Sequence, residues 1–186
     1  MMPWAIGGAS DDTSDLAFDE VFRAVWPRAV LAARRIVGPQ DDPEGLAAES
    51  MTRAYDRWPS LRRHPAPDAW VLRVTINLAL DRVRYQSRRT ATTLIDLRTR
   101  GLDATSAASF DELSVLRLAL ATALAELPDK QRQAVAMRYL GGCVEQDIAA
   151  SMKVSPGTVK THLGRGLEKL RAQAANDPEA HLALVP

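Results

Sequence analysis

Apolar residues recur every three or four positions along most of this chain, which is the period of amphipathic α-helices. The clearest case is the segment from Val144 to Arg171, which predicts two helices joined by a tight turn. The apolar stripe of the second helix consists of Val159, Leu163, Leu167 and Leu170. Ser155 can cap that helix, and Pro156 can take its first position, where a missing N–H costs nothing.

Five more helices are predicted upstream, because the same period returns between breaks at glycine, proline and serine. They cover residues 15–37, 43–58, 67–89, 109–127 and 128–140. Pro27 lies inside the first helix and should kink it or split it after Val25. Asp42 is expected to cap the second helix, and Pro59 to end it. The predicted fold class is all-α.

Breaks in the periodicity also predict the domain boundaries. Residues 1–14 are interpreted as a disordered N-terminus and residues 172–186 as a loose tail. Residues 90–108 are rich in Thr, Ser, Ala and Gly with weak periodicity, which is typical of a flexible linker. Two small helical domains remain, residues 15–89 and residues 109–171.

Length and composition limit the possible classes of protein. A chain of 186 residues can hold one medium or two small domains. No apolar run approaches a membrane span, and the N-terminal residues lack the basic segment of a secretion signal, so we expect a cytosolic protein with no membrane partner. The single cysteine, Cys143, excludes internal disulfides and a cysteine-rich zinc site, and a half-buried apolar role is expected for it.

Positive charge is segregated along the chain, although the net charge is only +1. Residues 53–100 hold eleven arginines against four aspartates, and residues 153–171 hold five lysines or arginines against one glutamate. The first twenty residues hold five acids and no base. Such segregation is the electrostatic pattern of phosphate binding.

The helix predicted over residues 67–89 gathers polar side chains opposite its apolar stripe. Six of them fall within about a quarter of the helix circumference. They are Trp70, Arg73, Asn77, Asp81, Arg84 and Arg88. Arginine can neutralise phosphates, a tryptophan can stack on an unpaired base and an asparagine can bond a base edge. The alternative is that Asp81 pairs with Arg84 or Arg88 in a surface network while Trp70 packs into the core.

The last predicted helix carries a second polar face near its N-terminus. A helix-turn-helix places such a face in the major groove, and the small Ala149 would let its two helices cross closely. The candidate DNA-contacting residues there are Ser155, Thr158, Lys160, Thr161, His162 and Arg165. The alternative is an ordinary helical hairpin with a solvated basic face.

Taken in order, these motifs resemble the extracytoplasmic-function (group 4) sigma factors of bacterial RNA polymerase. Residues 42–50 and 54–58 are similar to region 2.2, and residues 69–77 with Asp81 and Arg84 are similar to regions 2.3 and 2.4. The segments similar to region 4 are residues 127–132, 138–140 and 155–160. The resemblance covers about residues 15–171.

The resemblance implies a promoter-recognition factor that binds core RNA polymerase and initiates transcription. The region 2.2-like helix would bind the polymerase clamp through Asp42, Glu44, Glu49, Arg53 and Asp56. The following loop and helix would open and hold the minus-ten promoter element through Arg62, Arg63, His64, Trp70, Arg73, Asn77, Asp81, Arg84 and Arg88. The helix-turn-helix would read the minus-thirty-five element in duplex DNA. Whether an anti-sigma protein is a further partner is left open by the sequence.

Several residues depart from the family pattern. Val144 stands where a capping Ser or Thr is usual, which costs about 1 kcal/mol. Lys153 takes the place of a turn glycine, which predicts a strained left-handed residue. His162 replaces a common arginine, and Gly45 replaces a frequent acid. Two recognition-helix glycines, at positions 164 and 166, would soften that helix by about 1 kcal/mol each relative to alanine. These departures predict an atypical or weak minus-thirty-five reader.

Competing classes of function find less support in the residues. His64, His162 and His181 are scattered, and no metalloprotease motif, phosphate-binding glycine loop or nucleophile–base pair is visible, so no enzyme activity, catalytic residue or cofactor is predicted. Acids at positions 41, 42 and 44 could mimic a metal site, but a helix cap explains them better. A stand-alone helix-turn-helix regulator would leave the 67–89 polar face unexplained. A protein whose basic faces bind an acidic partner would lack salt-dependent DNA binding.

Overall fold

The computed structural model describes residues 12–99 and 112–176, and all regular structure in these two ranges is helical. The helices are α1 Asp12–Val37, α2 Pro43–Asp56, α3 Trp58–Leu61, α4 Pro67–Thr99, α5 Glu112–Ala125, α6 Asp129–Tyr139, α7 Glu145–Met152 and α8 Pro156–Asn176. The all-α fold class is confirmed. The predictions for residues 1–11, for residues 100–111 and for the tail beyond 176 lie outside the described residues.

Helices α1 to α4 form an N-terminal module in which α1 and α2 pack against α4. The predicted apolar stripe of α4 is buried, namely Ala69, Leu72, Ile76, Ala79 and Val83. It meets Ala29, Ala33 and Ile36 of α1, which are also buried. Alanines at the contact let the helix axes approach closely, and each buried Leu or Ile contributes about 1.5–3 kcal/mol.

Two boundaries of the N-terminal module differ from the sequence prediction. Helix α1 begins at Asp12, so residues 12–14 are helical, and it continues through Pro27 without splitting. Buried residues on both sides of the proline, Val25 and Ala29, hold the two halves on the same core. Helix α2 ends at Asp56, earlier than predicted, because Arg57 leaves helical geometry with φ −103° and ψ 6°. Pro59 then lies inside the short α3 instead of ending α2.

Two further helices run past the predicted domain limits. Helix α4 extends to Thr99, ten residues into the predicted linker, and α8 extends to Asn176, five residues into the predicted tail. Neither extension contains glycine or proline. Adding a residue to an existing helix costs far less than starting one, so weak periodicity alone does not end a helix.

Helices α5 to α8 form a C-terminal module, and its last two helices are the predicted helix-turn-helix. Helix α6 ends at Tyr139, just before the predicted stop at Gly141 and Gly142, the second of which adopts φ +63°. Ile148 and Ala149 of α7 are buried, as are Val159, Leu163 and Leu170 of α8. The amphipathic pattern of both helices is therefore confirmed.

The two modules contact each other through arginines of the first and helix ends of the second. Arg35 Nη1 donates to Leu140 O at 3.3 Å, and Arg28 Nη2 donates to Gly141 O at 3.5 Å. Arg73 Nη1 donates to Ser151 O at 2.6 Å. The last carbonyls of a helix lack partners inside the helix and carry partial negative charge, so cations stabilise them. We call these three bonds the arginine contacts.

Apolar packing accompanies the arginine contacts. A Cβ at Gly141 would lie 3.2 Å from Ile76 Cδ1, so the end of α6 lies directly on α4. The structure therefore shows the modules in a closed arrangement, which the sequence did not predict. Within residues 12–99 and 112–176, no helix is both long and apolar enough to cross a bilayer.

Candidate nucleic-acid and polymerase interfaces

The start of α8 is built by a local cap. Ser155 Oγ accepts a hydrogen bond from Thr158 N at 3.1 Å and lies 2.8 Å from Thr158 Oγ1. The predicted cap at Ser155 with Pro156 in the first position is confirmed. Pro156 has no N–H and Val159 N donates to Ser155 O at 3.1 Å, so the Gly157 N–H is left in this turn for a phosphate oxygen.

Three side chains of α8 are exposed next to this cap: Lys160, Thr161 and Arg165. The Thr161 hydroxyl donates to Gly157 O at 3.1 Å. Lys160 Nζ is 3.9 Å from Glu145 Oε2, an exposed pair that contributes little to stability. His162 is half-buried, and its Nδ1 is buried without a hydrogen-bond partner. The structure thus brings together a cationic face on α8 but places His162 at its edge.

The two unusual residues of the helix-turn-helix behave as their sequence positions predict. Val144 is the N-cap of α7 and makes no side-chain cap bond. Lys153 ends α7 in the left-handed region, with φ 57° and ψ 48°. A non-glycine residue in that region is strained, so the turn contains a local cost that a glycine would avoid.

The two glycines of α8 differ, so the sequence prediction that both merely soften the helix is incomplete. A Cβ at Gly166 would lie 2.7 Å from Val135 Cγ2 of α6. A Cβ at Gly164 would meet no atom within 4 Å. Gly166 is required by the close packing of α6 on α8, whereas Gly164 lies on the open face.

The polar face of α4 is only partly open. Asp81 and Arg88 are exposed, whereas Asn77 and Arg84 are half-buried. Arg84 Nη1 lies 3.2 Å from Asp81 Oδ1, so the surface pairing considered as the alternative is present for these two residues. An exposed pair of this kind is weak and can exchange for a phosphate.

Trp70 stands at the border between core and solvent. Its ring is half-buried, and the guanidinium carbon of Arg57 lies 5.6 Å from the ring centroid. This is a cation–π distance, which fixes the ring while leaving it at the surface. Trp70 therefore packs against the core with one part and lines an open cavity with another, and its stacking on an unpaired base stays a prediction.

The loop after α3 is short and held by its own backbone. His64 N donates to Leu61 O at 2.9 Å, and Ala66 N donates to His64 Nδ1 at 3.1 Å. When Nδ1 accepts, the neutral imidazole carries its proton on Nε2 and can donate there. Arg62 and Arg63 are exposed on the same loop. The loop can therefore offer a histidine donor beside two cations.

Arg73 is half-buried, not exposed, because it makes one of the arginine contacts. Burial between the modules lowers its pKa below the usual arginine value. In the closed arrangement Nη1 of this guanidinium is occupied by a carbonyl of α7, at the junction of the two modules.

The predicted polymerase-binding residues lie on α2 or at its ends. Glu44 and Asp56 are exposed, and Glu49 pairs with Arg53 one turn later. Asp42 is occupied in capping, since its Oδ1 accepts from Gly45 N at 2.9 Å. The helix thus presents a mainly acidic surface.

An aromatic cluster beside that surface was missed by the sequence reasoning. The ring of Phe18 packs edge-on against Tyr55 and Trp58, with both centroid distances 5.1 Å. Tyr55 stays 54% exposed at the edge of this cluster. The sequence signal that could have predicted this cluster is the presence of aromatic residues at positions 18, 22, 55 and 58.

Cys143 is more buried than predicted, at 1% exposure instead of half. Burial raises the pKa of its thiol to about 11. The thiolate is the reactive form, so this cysteine is inert near neutral pH.

Comparisons with known proteins match both modules. The family described as Sigma-70 region 2 matches residues 21–89, and the family described as Sigma-70, region 4 matches residues 117–170. The RNA polymerase sigma-E factor of Streptomyces coelicolor is 30% identical over 166 residues, which are 89% of this chain and 90% of that protein. The chain belongs to the extracytoplasmic-function sigma factors.

One further relative and one solved structure are similar to this chain. The ECF RNA polymerase sigma factor SigW of Bacillus subtilis is 27% identical over 170 residues, 87% of each chain. A structure of CnrH in complex with the cytosolic domain of CnrY shares the fold, with a TM-score of 0.52 at 20% identity over 88% of this chain and 96% of that one. The region 2 match runs from α1 through most of α4, and the region 4 match runs from α5 to α8.

Proposed function

We propose that this sigma factor uses three surfaces in turn: the acidic face of α2 for core RNA polymerase, the loop after α3 with α4 for the minus-ten element, and α8 for the minus-thirty-five element. The observation that carries the proposal is the pair of separate cationic faces on one chain. A single DNA-binding regulator needs only one of them.

The minus-ten surface is suited to an opened strand. Removing a base from the DNA stack costs a few kcal/mol. Stacking that base on an aromatic side chain offsets about 1–3 kcal/mol of this cost. Trp70 and His64 supply a ring and a donor on one side, and Arg62 and Arg63 supply charge for the backbone. Asn77, further along α4, can bond a base edge.

The closed arrangement of the two modules cannot bind both promoter elements at once. Elements centred at minus ten and minus thirty-five are about 25 base pairs apart, which is about 85 Å at 3.4 Å per pair. In the structure Arg73 of one module bonds Ser151 of the other. The modules must therefore separate before both elements are bound, and separation also frees Arg73 for phosphate. Polymerase binding through α2 is the event that we propose drives this opening.

The bond-making chemistry of transcription belongs to the polymerase, so this chain needs no catalytic group or cofactor of its own. A factor that acts on polymerase works where the polymerase is, and we propose the cytoplasm as its location.

The test is run-off transcription with purified core polymerase on a promoter library. The wild-type chain should select promoters that share two conserved blocks. Arg165→Ala should weaken selection at the upstream block by about 1–3 kcal/mol if it contacts a base, whereas Lys169→Ala, an exposed control one turn later, should not. Asn77→Ala should impair strand opening more than duplex binding. Transcription without any selected sequence, or an equal loss in the control, would contradict the proposal.

A further inference from the structure

A cavity of about 300 Å³ lies where the two modules meet. The N-terminal module lines it with Arg57, His64, Trp70 and Arg73, and the C-terminal module lines it with Ser151 and Lys153. Neither module encloses this space alone. The cavity therefore exists only in the closed arrangement.

The lining is cationic. Arg57, Arg73 and Lys153 all border the cavity, and no acidic side chain is among the described residues that line it. Arg73 has a carbonyl as its recorded partner, and its pKa is lowered by burial. Of these cations Arg73 is half-buried, and a partly buried cation without an anion is costly, whereas Arg57 and Lys153 are exposed. A concave cationic surface focuses potential onto small anions.

Two independent features of the C-terminal module also point to a ligand. The Ser151 hydroxyl is buried without a hydrogen-bond partner, in a residue that is 2% exposed. An unsatisfied buried hydroxyl costs about 1–3 kcal/mol. Lys153 borders the cavity from a left-handed backbone with φ 57°, where glycine would be unstrained. A strained backbone at a position that places a positive charge beside the cavity indicates that the Lys153 charge has a function.

We propose that this cavity binds a small phosphate-bearing anion. Arg73 and Lys153 are its charge partners, and Trp70 is the apolar wall for a planar base. Ligand sites are commonly about 300–1,000 Å³, so a cavity at the lower limit fits a mononucleotide or a free polyphosphate and excludes a DNA strand.

Binding at this site would stabilise the closed arrangement, because the ligand contacts both modules at once. It would therefore oppose the separation that promoter binding requires. This effect on promoter binding rests on the proposed function, whereas anion binding itself does not.

The experiment is isothermal titration calorimetry of the full chain with pyrophosphate, with ATP, and with adenosine as the uncharged comparison. Lys153→Asn removes the cation and keeps a residue that tolerates the left-handed region, so the variant should fold. Lys130→Asn removes an exposed lysine of α6 that does not line the cavity. We expect binding of pyrophosphate or ATP but not adenosine, weakened about tenfold by Lys153→Asn and unchanged by Lys130→Asn, a difference of about 1.4 kcal/mol.

The inference is overturned if neither anion binds at about millimolar concentration. A Kd of about 1 mM corresponds to a binding free energy of only about −4 kcal/mol. It is also overturned if both lysine variants weaken binding equally, or if a single-stranded oligonucleotide binds while the small anions do not. Run-off transcription by the same preparation keeps the two proposals distinct. Transcription without anion binding rejects this site alone, and anion binding without transcription rejects the proposed function alone.

Discussion

A pair of nearby positions, Asp42 and Gly45, explains one departure of this chain from its family. Asp42 adopts φ 53°, and its carboxylate lies over the start of α2, where a Cβ at Gly45 would be 2.1 Å from Asp42 Oδ2. Asp42 and Gly45 therefore act as one unit, since the cap needs the space that a side chain would fill. The absence of an acid at Gly45 follows from this cap geometry. The sequence alone does not predict this pairing, because no sequence motif indicates that Asp42 adopts a left-handed backbone conformation.

The two glycines of α8 give a matched prediction at this scale. Gly164→Ala should raise the free energy of unfolding by up to about 1 kcal/mol, because alanine favours the helix and nothing obstructs its methyl group. Gly166→Ala should lower it despite the same gain in propensity, because the methyl group would press on the stiff side chain of Val135. Thermal and urea unfolding of both variants would measure this. Stabilisation by both alanines would show that α6 and α8 are not packed as described.

At the scale of helices, periodicity predicted which segments are helical better than it predicted where they end. The stripes of α4 and α8 are buried as expected, since an amphipathic face must find a core. The ends of α1, α4 and α8 differ from the predicted ends. Tertiary packing and the low cost of extending an existing helix decide where a helix ends, and a local sequence pattern shows neither. The caps at Asp42 and Ser155 were predictable, because each depends on residues within three positions.

The caps of the helix-turn-helix give the second prediction. Val144 has the extended backbone of an N-cap, with φ −80° and ψ 156°, but no side-chain acceptor. Val144→Thr should supply one and stabilise the protein by about 1 kcal/mol, whereas Ser155→Ala should remove one and destabilise it by a similar amount. Thermal unfolding of the two variants measures both effects. An unchanged melting temperature for Ser155→Ala would mean that its bond to Thr158 N contributes nothing.

At the scale of the whole molecule, the closed arrangement was beyond the reach of sequence reasoning. The arginine contacts join side chains to backbone carbonyls more than seventy positions away, and a carbonyl carries no residue-type signal. The sequence thus predicted Arg73 as a DNA contact while the structure holds it on α7. Of the predicted sites, the exposed residues of α8 and of the loop after α3 needed only local rules. Arg73 and the composite cavity needed the packing of two modules.

The arginine contacts give the third prediction. Replacing Arg28 and Arg35 together by glutamine should favour the open form, because two capping bonds between the modules are lost. The radius of gyration measured by X-ray scattering should rise above the value of about 16 Å expected for a compact chain of this length. A matched variant with glutamine at Arg23 and Arg34, two exposed arginines of the same helix, should leave it unchanged. Equal expansion in both variants would indicate loss of charge alone.

The most direct test of a sigma factor that opens on its polymerase is the distance between the modules with and without core enzyme. Cysteines placed at Ala24 of α1 and Lys130 of α6, both exposed, would carry a donor and an acceptor dye. The native Cys143 should stay unlabelled, because burial raises its pKa to about 11. We predict efficient energy transfer in the free chain and a clear fall when saturating core polymerase is added. Unchanged transfer in the polymerase-bound chain would contradict the account.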